Sequence, residues 1–168
     1  MSYKKFLIAF LALFLIGSGL SFAGENEGNA AIMKKFYNEV ANMGNMAMID
    51  ELISDSFMEH EQVPGGAQGK DAVKGWFTML HSGMPDVKFT IIDMVAHGDK
   101  VWTYYKMTGT QSGEFMGMPA SGKKIEVNGV DIVQFKDGKA IAHWGVSQDL
   151  QMMQQLGMIP MPGQSSQK

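Results

Sequence analysis

Beyond Pro85 the apolar residues of the chain stop recurring at helical spacing and begin to alternate. Val87, Phe89, Ile91, Asp93 and Val95 interleave with Lys88, Thr90, Ile92 and Met94, the period of a strand with at least one buried face. Gly98-Asp99 then signals a hairpin turn. The next run, Val101 to Gly109, is aromatic and branched on both parities, so it is expected to be covered on both sides. A Gly-rich excursion, Gln111 to Lys123, leads into a strand from Lys124 to Phe135, with Asn128-Gly129 read as a bulge. Asp137-Gly138 turns the chain into a last strand, Ala140 to Gln148, and a short helix follows at Asp149 to Leu156.

Helices come first. Ile32, Phe36, Val40 and Met43 trace one face of a helix that Gly44 stops. A second helix is predicted over Met46 to Ile53, with Asn45 as its cap. The third runs from about Asp71 to Ser82, burying Val73, Phe77 and Leu80 before Gly83 and Pro85. Between them, Pro64-Gly65-Gly66 marks a loop after a short strand that starts near Phe57. Three helices ahead of long sequential strands is an α+β order. The expected fold is a cone-shaped, curved antiparallel sheet wrapped over three N-terminal helices, with a cavity in its concave face.

Residues 1–23 stand apart from that pattern. Tyr3-Lys4-Lys5 form a basic head, Phe6 to Ile16 are apolar without interruption, and Ser21-Phe22-Ala23 is a small-x-small cleavage pattern. This reads as a secretory signal cut before Gly24, and the alternative is a retained membrane anchor. Residues 24–162 then form the folded domain and 163–168 a polar tail, in an exported, periplasmic or secreted protein without stable membrane association after cleavage. The chain has no cysteine, as suits an oxidising compartment, which also removes disulfides, thiolate metal sites and cysteine nucleophiles. All fourteen basic residues are lysine, and the net charge is -3, which leaves no guanidinium fork for phosphate and no basic footprint for nucleic acid.

The stretch Gly109-Thr110-Gln111-Ser112-Gly113-Glu114-Phe115-Met116-Gly117-Met118-Pro119-Ala120-Ser121-Gly122-Lys123 resembles the G-T-x-x-G-x-F-x-G-x-x-x-S/T-G-K signature of the SnoaL-like polyketide cyclases, also called ester cyclases. Asp131-Ile132-Val133-Gln134-Phe135, Asp137-Gly138-Lys139-Ala140-Ile141, His143-Trp144, Asp149 and Gln155-Leu156-Gly157 continue the match, and His60, Gly69 and Pro85-Asp86 also stand where that family has them. The resemblance implies a cone-shaped barrel like nuclear transport factor 2. It also implies, by analogy with characterised cyclases, an intramolecular aldol closure that needs no metal or cofactor. The aspartate that takes the proton in that chemistry has its counterpart here in Asp149. The superfamily hosts many other activities, so the resemblance speaks more strongly for fold than for reaction.

On a regular last strand His143 and Asp149 share one face with Ile141, Gly145 and Ser147. A carboxylate among Met and aromatic side chains has its charged form disfavoured and becomes a better base near neutral pH. Asp149 is therefore the expected base and His143 the residue that orients substrate or bonds the oxyanion, while Asp149 also stands where a helix N-cap belongs. His60 is either a pocket donor or a strand-edge histidine. Trp76 and Trp144 are core residues that could floor the pocket, and Phe115 and Met116 could form an apolar lid or a plain connection packed on the sheet. His81 and His97 are expected to be solvated. Three consecutive residues, Glu59-His60-Glu61, point to alternate faces and cannot jointly hold a metal.

Two functions follow. One is a cofactor-free enzyme cyclising or isomerising a small apolar carbonyl compound, and the other is a periplasmic module that binds such a ligand without turnover. A methionine-based copper handler is a weaker third, because the sixteen methionines are scattered and not arranged in close M-x-x-M series. Sheets of this kind pair back to back in many proteins, which makes a homodimer the macromolecular partner to expect.

Overall fold

The computed structural model describes residues 24–61 and 67–160. The leader over 1–23, the Pro64-Gly65-Gly66 loop and the tail over 163–168 lie outside the described residues. Residues 24–36 are α-helical (α1) and continue directly into a π-helical turn, Tyr37–Asn42. The remaining elements are α2 (Met48–Leu52), β1 (Ile53–Glu59), α3 (Gly69–Gly83), β2 (Lys88–His97), β3 (Lys100–Thr110), β4 (Lys124–Lys136), β5 (Lys139–Ser147) and α4 (Asp149–Leu156). They build the expected α+β architecture. The curved sheet has the order β1-β5-β4-β3-β2, with β2 to β5 as an antiparallel meander and β1 added parallel to β5.

The π turn changes which residues of the first helix are buried. A regular helix would put Met43 on the apolar face, but the wider turn buries Met33, Tyr37, Val40 and Ala41 and leaves Met43 exposed. Gly44 ends the segment at φ +68°, as its place in the sequence implies. His81 packs beneath it, with Nε2 3.1 Å from the Ala41 carbonyl, so this histidine caps a helix end and is not a solvated one. The second helix is shorter than expected. Asn45 bonds to Glu39 and caps nothing, Ala47 takes the N-cap position, and Ile53 is already extended. Ile49 and Ile53 are both buried, but in different elements.

Register decides what faces the concave side. β3 and β4 pair continuously from Lys100↔Gln134 to Thr110↔Lys124, so Asn128-Gly129 is not a bulge. Gly129 is a glycine for another reason. It pairs with Tyr105, whose phenol lies over it, and a Cβ there would come 2.5 Å from Tyr105 Cζ. The register shifts lie elsewhere, between Ile91 and Asp93 on β2, beside Gln134/Phe135 in the β4·β5 pair, and between Ile53 and Met58 on β1. The first turns Met94 and Ala96 to the core and leaves Ile92 and Val95 exposed. Because of the second, Ala140 and His143 both face inward despite their odd separation.

Gln111 to Lys123 is tied down along its length. Gln111 is fully buried, donates from Nε2 to the Pro119 carbonyl at 3.1 Å and accepts the Ser121 hydroxyl at 2.6 Å. Phe115 and Met118 exchange two backbone bonds of 3.0 Å around Met116 and Gly117, both at positive φ. The Phe115 ring, wholly buried, occupies the space that a side chain on Gly83 would need. Burying a ring of this size contributes about 1.5–3 kcal/mol. The excursion is thus a docked connection, and only Met116 at its tip reaches the cavity.

Within one chain β3 is covered on its inner face alone. Val101, Thr103, Tyr105 and Met107 are buried, whereas Trp102 and Tyr104 are exposed. Val95, Trp102, Ile132 and Trp144 line up as cross-strand neighbours over four strands of the outer face. No helix among the described residues is long and apolar enough to cross a membrane.

Candidate active site

A cavity of about 290 Å³ opens between the concave sheet face and α1, α3 and α4. Its walls are apolar: Ile32, Met33 and Phe36 from α1, Trp76 and Phe77 from α3, Met152 and Met153 from α4. At one end the lining becomes polar, with Glu59, Glu61, Tyr105, Asp131, His143, Ser147 and Asp149. No lysine among the described residues lines it.

Strand register assembles this polar end. Glu59 on β1 is the partner of His143 on β5, and Asp131 on β4 is the partner of Gly145, which places Asp131 diagonally from His143. The imidazole Nδ1 donates to Glu59 Oε1 at 2.8 Å and Nε2 to Asp131 Oδ1 at 3.3 Å. The Tyr37 hydroxyl donates to the other Asp131 oxygen. Both imidazole nitrogens serve as donors, so the ring is an imidazolium. Burial works against that charge, but the hydrogen bonds and negative charges of Asp131 and Glu59 outweigh it and push the His143 pKa up to about 10. With both N–H groups committed, His143 cannot bond an oxyanion unless it gives up a carboxylate. What it offers the site is a fixed charge.

Burial raises the Tyr37 phenol well above its usual value, reinforced by the Asp131 charge and hydrogen bond. Burial also raises Glu61. The charges of Glu59, Asp131 and Asp149 push it further in the same direction, and His143 opposes them. Asp149 is the first residue of α4, and the N-cap position expected for it belongs to Gln148. Its Oδ1 accepts the Ser147 hydroxyl, and Oδ2 accepts no bond from the described residues. Asp149 and His143 line one cavity, but Asp149 is exposed and lacks the enclosure among Met and aromatic side chains expected of it, because it stands at the cavity's open polar end.

The other expected site residues divide. Trp76 and Met116 line the cavity. Phe115 does not, because it sits behind Trp76 in the core, ring centroids 6.2 Å apart. His60 and Trp144 point to the opposite face of the sheet, stacked at 4.4 Å with their planes 7° apart beside a shallow groove that also touches Glu61, Gly145 and Asp149. Their parity explains it: each follows an inward-facing residue, Glu59 or His143. Sequence reasoning missed Glu59, Glu61, Asp131, Tyr37 and Tyr105. For the first two the signal was present, since both share the parity of the buried Phe57. Among the described residues no cluster of three or more His, Asp or Glu side chains could hold a metal ion.

A family model described as SnoaL-like polyketide cyclase matches residues 31–156. Among solved structures, TsrD from Streptomyces laurentii is 26% identical at a TM-score of 0.71, over 79% of this chain and 97% of its own. IdmH from Streptomyces antibioticus, described as a candidate polyketide cyclase, is 28% identical at a TM-score of 0.66, over 77% and 98%. A Bacillus cereus protein also described as a candidate polyketide cyclase is 27% identical at a TM-score of 0.69, over 79% and 82%. No functionally curated protein matches this sequence.

Proposed function

Because the chain belongs to the SnoaL-like polyketide cyclase family, we propose that it is an exported, cofactor-free catalyst that closes or isomerises a small, apolar carbonyl compound by acid–base chemistry. The observation that carries this reading is a cavity whose apolar walls end at Asp149, whose Oδ2 accepts no bond from the described residues. Asp149 removes a proton next to a carbonyl, and the enolate attacks a second carbonyl of the same molecule. The apolar walls from α1, α3 and α4 hold the carbon skeleton. With no lysine among the described lining residues and several carboxylates at its polar end, the cavity disfavours anionic substrates.

The test is a panel of small carbonyl compounds offered to residues 24–168 and to the Asp149→Asn variant. Turnover that the substitution leaves intact would remove Asp149 from the mechanism. A second reading, a ligand-binding module without turnover, is favoured by the fact that His143 and Tyr37 already have their donors satisfied by carboxylates. A ligand that copurifies and leaves unchanged from an inactive protein would support it. Export rests on the basic head, the apolar run and the small-x-small pattern of residues 1–23. An intact-mass measurement on protein from an exporting host checks whether the chain begins at Gly24. The apolar row Val95, Trp102, Ile132 and Trp144, exposed at Val95 and Trp102 and half-buried at the other two, supports a homodimer in which a second copy covers the outer sheet face.

A further inference from the structure

The inner face of the sheet lacks side chains at two neighbouring positions, Gly129 on β4 and Gly145 on β5. Each gap is roofed by an oxygen. The Tyr105 phenol lies over Gly129, where a Cβ would be 2.5 Å from Cζ. The Glu61 carboxyl lies over Gly145, where a Cβ would be 2.9 Å from Oε1 and 3.2 Å from His143 Cε1. Gly129 pairs with Ser147, the residue that bonds Asp149. The two oxygens and the expected base therefore converge on one glycine-floored patch of the cavity.

Resting on the cyclase reading above, we propose that Glu61 and Tyr105 are the acid side of the site, two O–H donors that receive the developing oxyanion opposite Asp149. Every other cavity donor near this patch is committed: the His143 N–H groups to Glu59 and Asp131, the Tyr37 hydroxyl to Asp131, the Ser147 hydroxyl to Asp149. The Tyr105 hydroxyl makes no hydrogen bond to the described residues. Glu61 is faced by His143, Asp131, Glu59, Asp149 and Tyr105; burial first, then the charges of Glu59, Asp131 and Asp149, raise its pKa against the opposing His143. Burial, with the charges of Asp131, Glu61 and Asp149, keeps Tyr105 neutral across the physiological range.

The step balances without a co-reactant. The Asp149 carboxylate takes the α-proton, and the C–H electron pair becomes an enolate. The enolate carbon bonds to the second carbonyl carbon, and the displaced C=O pair becomes an alkoxide that takes the Glu61 proton while accepting a hydrogen bond from Tyr105. The product is a cyclic β-hydroxy ketone isomeric with the substrate. Return of the proton from Asp149 to Glu61, directly or through water, restores both groups.

The probe is acetonylacetone, followed by loss of its α-protons to deuterium and by ring closure, with residues 24–168 and with Tyr105→Phe and Glu61→Gln. Each variant should keep KM and its melting temperature while kcat for ring closure falls about a hundred-fold. Glu61→Gln should also lose the alkaline limb of the pH profile, which a merely structural carboxyl would not produce. Either variant closing the ring at the unaltered rate and with the unaltered profile overturns the proposal. Should the unsubstituted protein leave the probe unchanged, the cyclase reading falls on its own, and carboxyl-carbon NMR decides the pairing. Glu61 titrating above the ordinary carboxylate range, and lower in Asp149→Asn, supports it. Titration near about 4.3 that Asp149→Asn does not move overturns it.

Discussion

His143 and Glu59 are register partners across the parallel pair β1·β5, and the imidazole Nδ1 lies 2.8 and 3.0 Å from the two carboxylate oxygens. The same step of the ladder carries a backbone bond from His60 N to the His143 carbonyl at 3.0 Å. The edge strand is thus joined to the sheet at this point by a charge pair as well as by its backbone. Asp131 holds the other side of the ring, so three residues from three strands share one positive charge.

That shared charge makes stability depend on pH. His143 has a folded pKa of about 10, above the roughly 6.5 of an unfolded histidine. Its contribution is fully present below about pH 6.5 and is lost as pH rises through the folded value. Urea midpoints should fall by the equivalent of about 2–4 kcal/mol between those limits. The fall should flatten in His143→Gln, and a midpoint that stays level in the unsubstituted protein would contradict the charged triad.

Breaking the pair on one side should cost more than removing it. Glu59→Leu leaves an imidazolium with one partner in a nearly buried setting and is expected to destabilise the fold by about 3–5 kcal/mol. Glu59→Leu with His143→Leu should cost clearly less than the sum of the two single changes. Chemical denaturation of the four proteins measures the coupling, and additive costs would mean that Glu59 and His143 do not stabilise each other.

Two glycines of the docked connection should differ in how much alanine destabilises them. A Cβ on Gly113 runs into the Ser82 carbonyl of the backbone, whereas one on Gly117 meets nothing within 4 Å. Gly117→Ala carries only the strain of φ +78°, about 1 kcal/mol. Gly113→Ala must move α3 or the connection itself and should cost about 3 kcal/mol or more. Thermal melts of the two variants rank them directly.

The outer sheet face predicts an oligomeric state. Trp102→Glu places a charge in the middle of the row that also contains Val95, Ile132 and Trp144. In sedimentation the unaltered chain should run as a dimer and this variant as a monomer with the same far-ultraviolet spectrum. A monomeric unaltered chain would leave that face uncovered and end the homodimer proposal.

Much of this architecture is legible in residue pattern. Alternation, the two Gly-Asp and Asp-Gly turns and the bounds of α4 place the meander, and strand parity puts His143, Ser147 and Asp149 on one cavity. Parity also held the information on Glu59 and Asp131, each a carboxylate on an otherwise apolar inner face. The histidine at position 60 drew attention to the outward residue instead. Register shifts were less readable. Asn128-Gly129 has the composition of a bulge, yet its glycine answers to a tyrosine from the neighbouring strand. That requirement is nonlocal and depends on pairing positions 105 and 129. Tyr37 was hidden for a different reason, since no residue type announces a π turn.

That wide turn, Tyr37–Asn42, fits one residue more into each hydrogen-bonded ring than an α-helix does. Relative to a regular helix, everything upstream is therefore rotated by about 100°. Ile32, Met33 and Phe36, all on the cavity wall, belong to the rotated stretch. Deleting a single residue from the turn would undo the rotation in one event, swing Tyr37 off Asp131 and offer the cavity another stripe of the helix. Chain length at this spot therefore sets the shape of the chamber coarsely, and substitutions along its walls adjust it finely. Insertions and deletions near residue 40 are thus the changes by which descendants of such a protein would exchange one guest molecule for another.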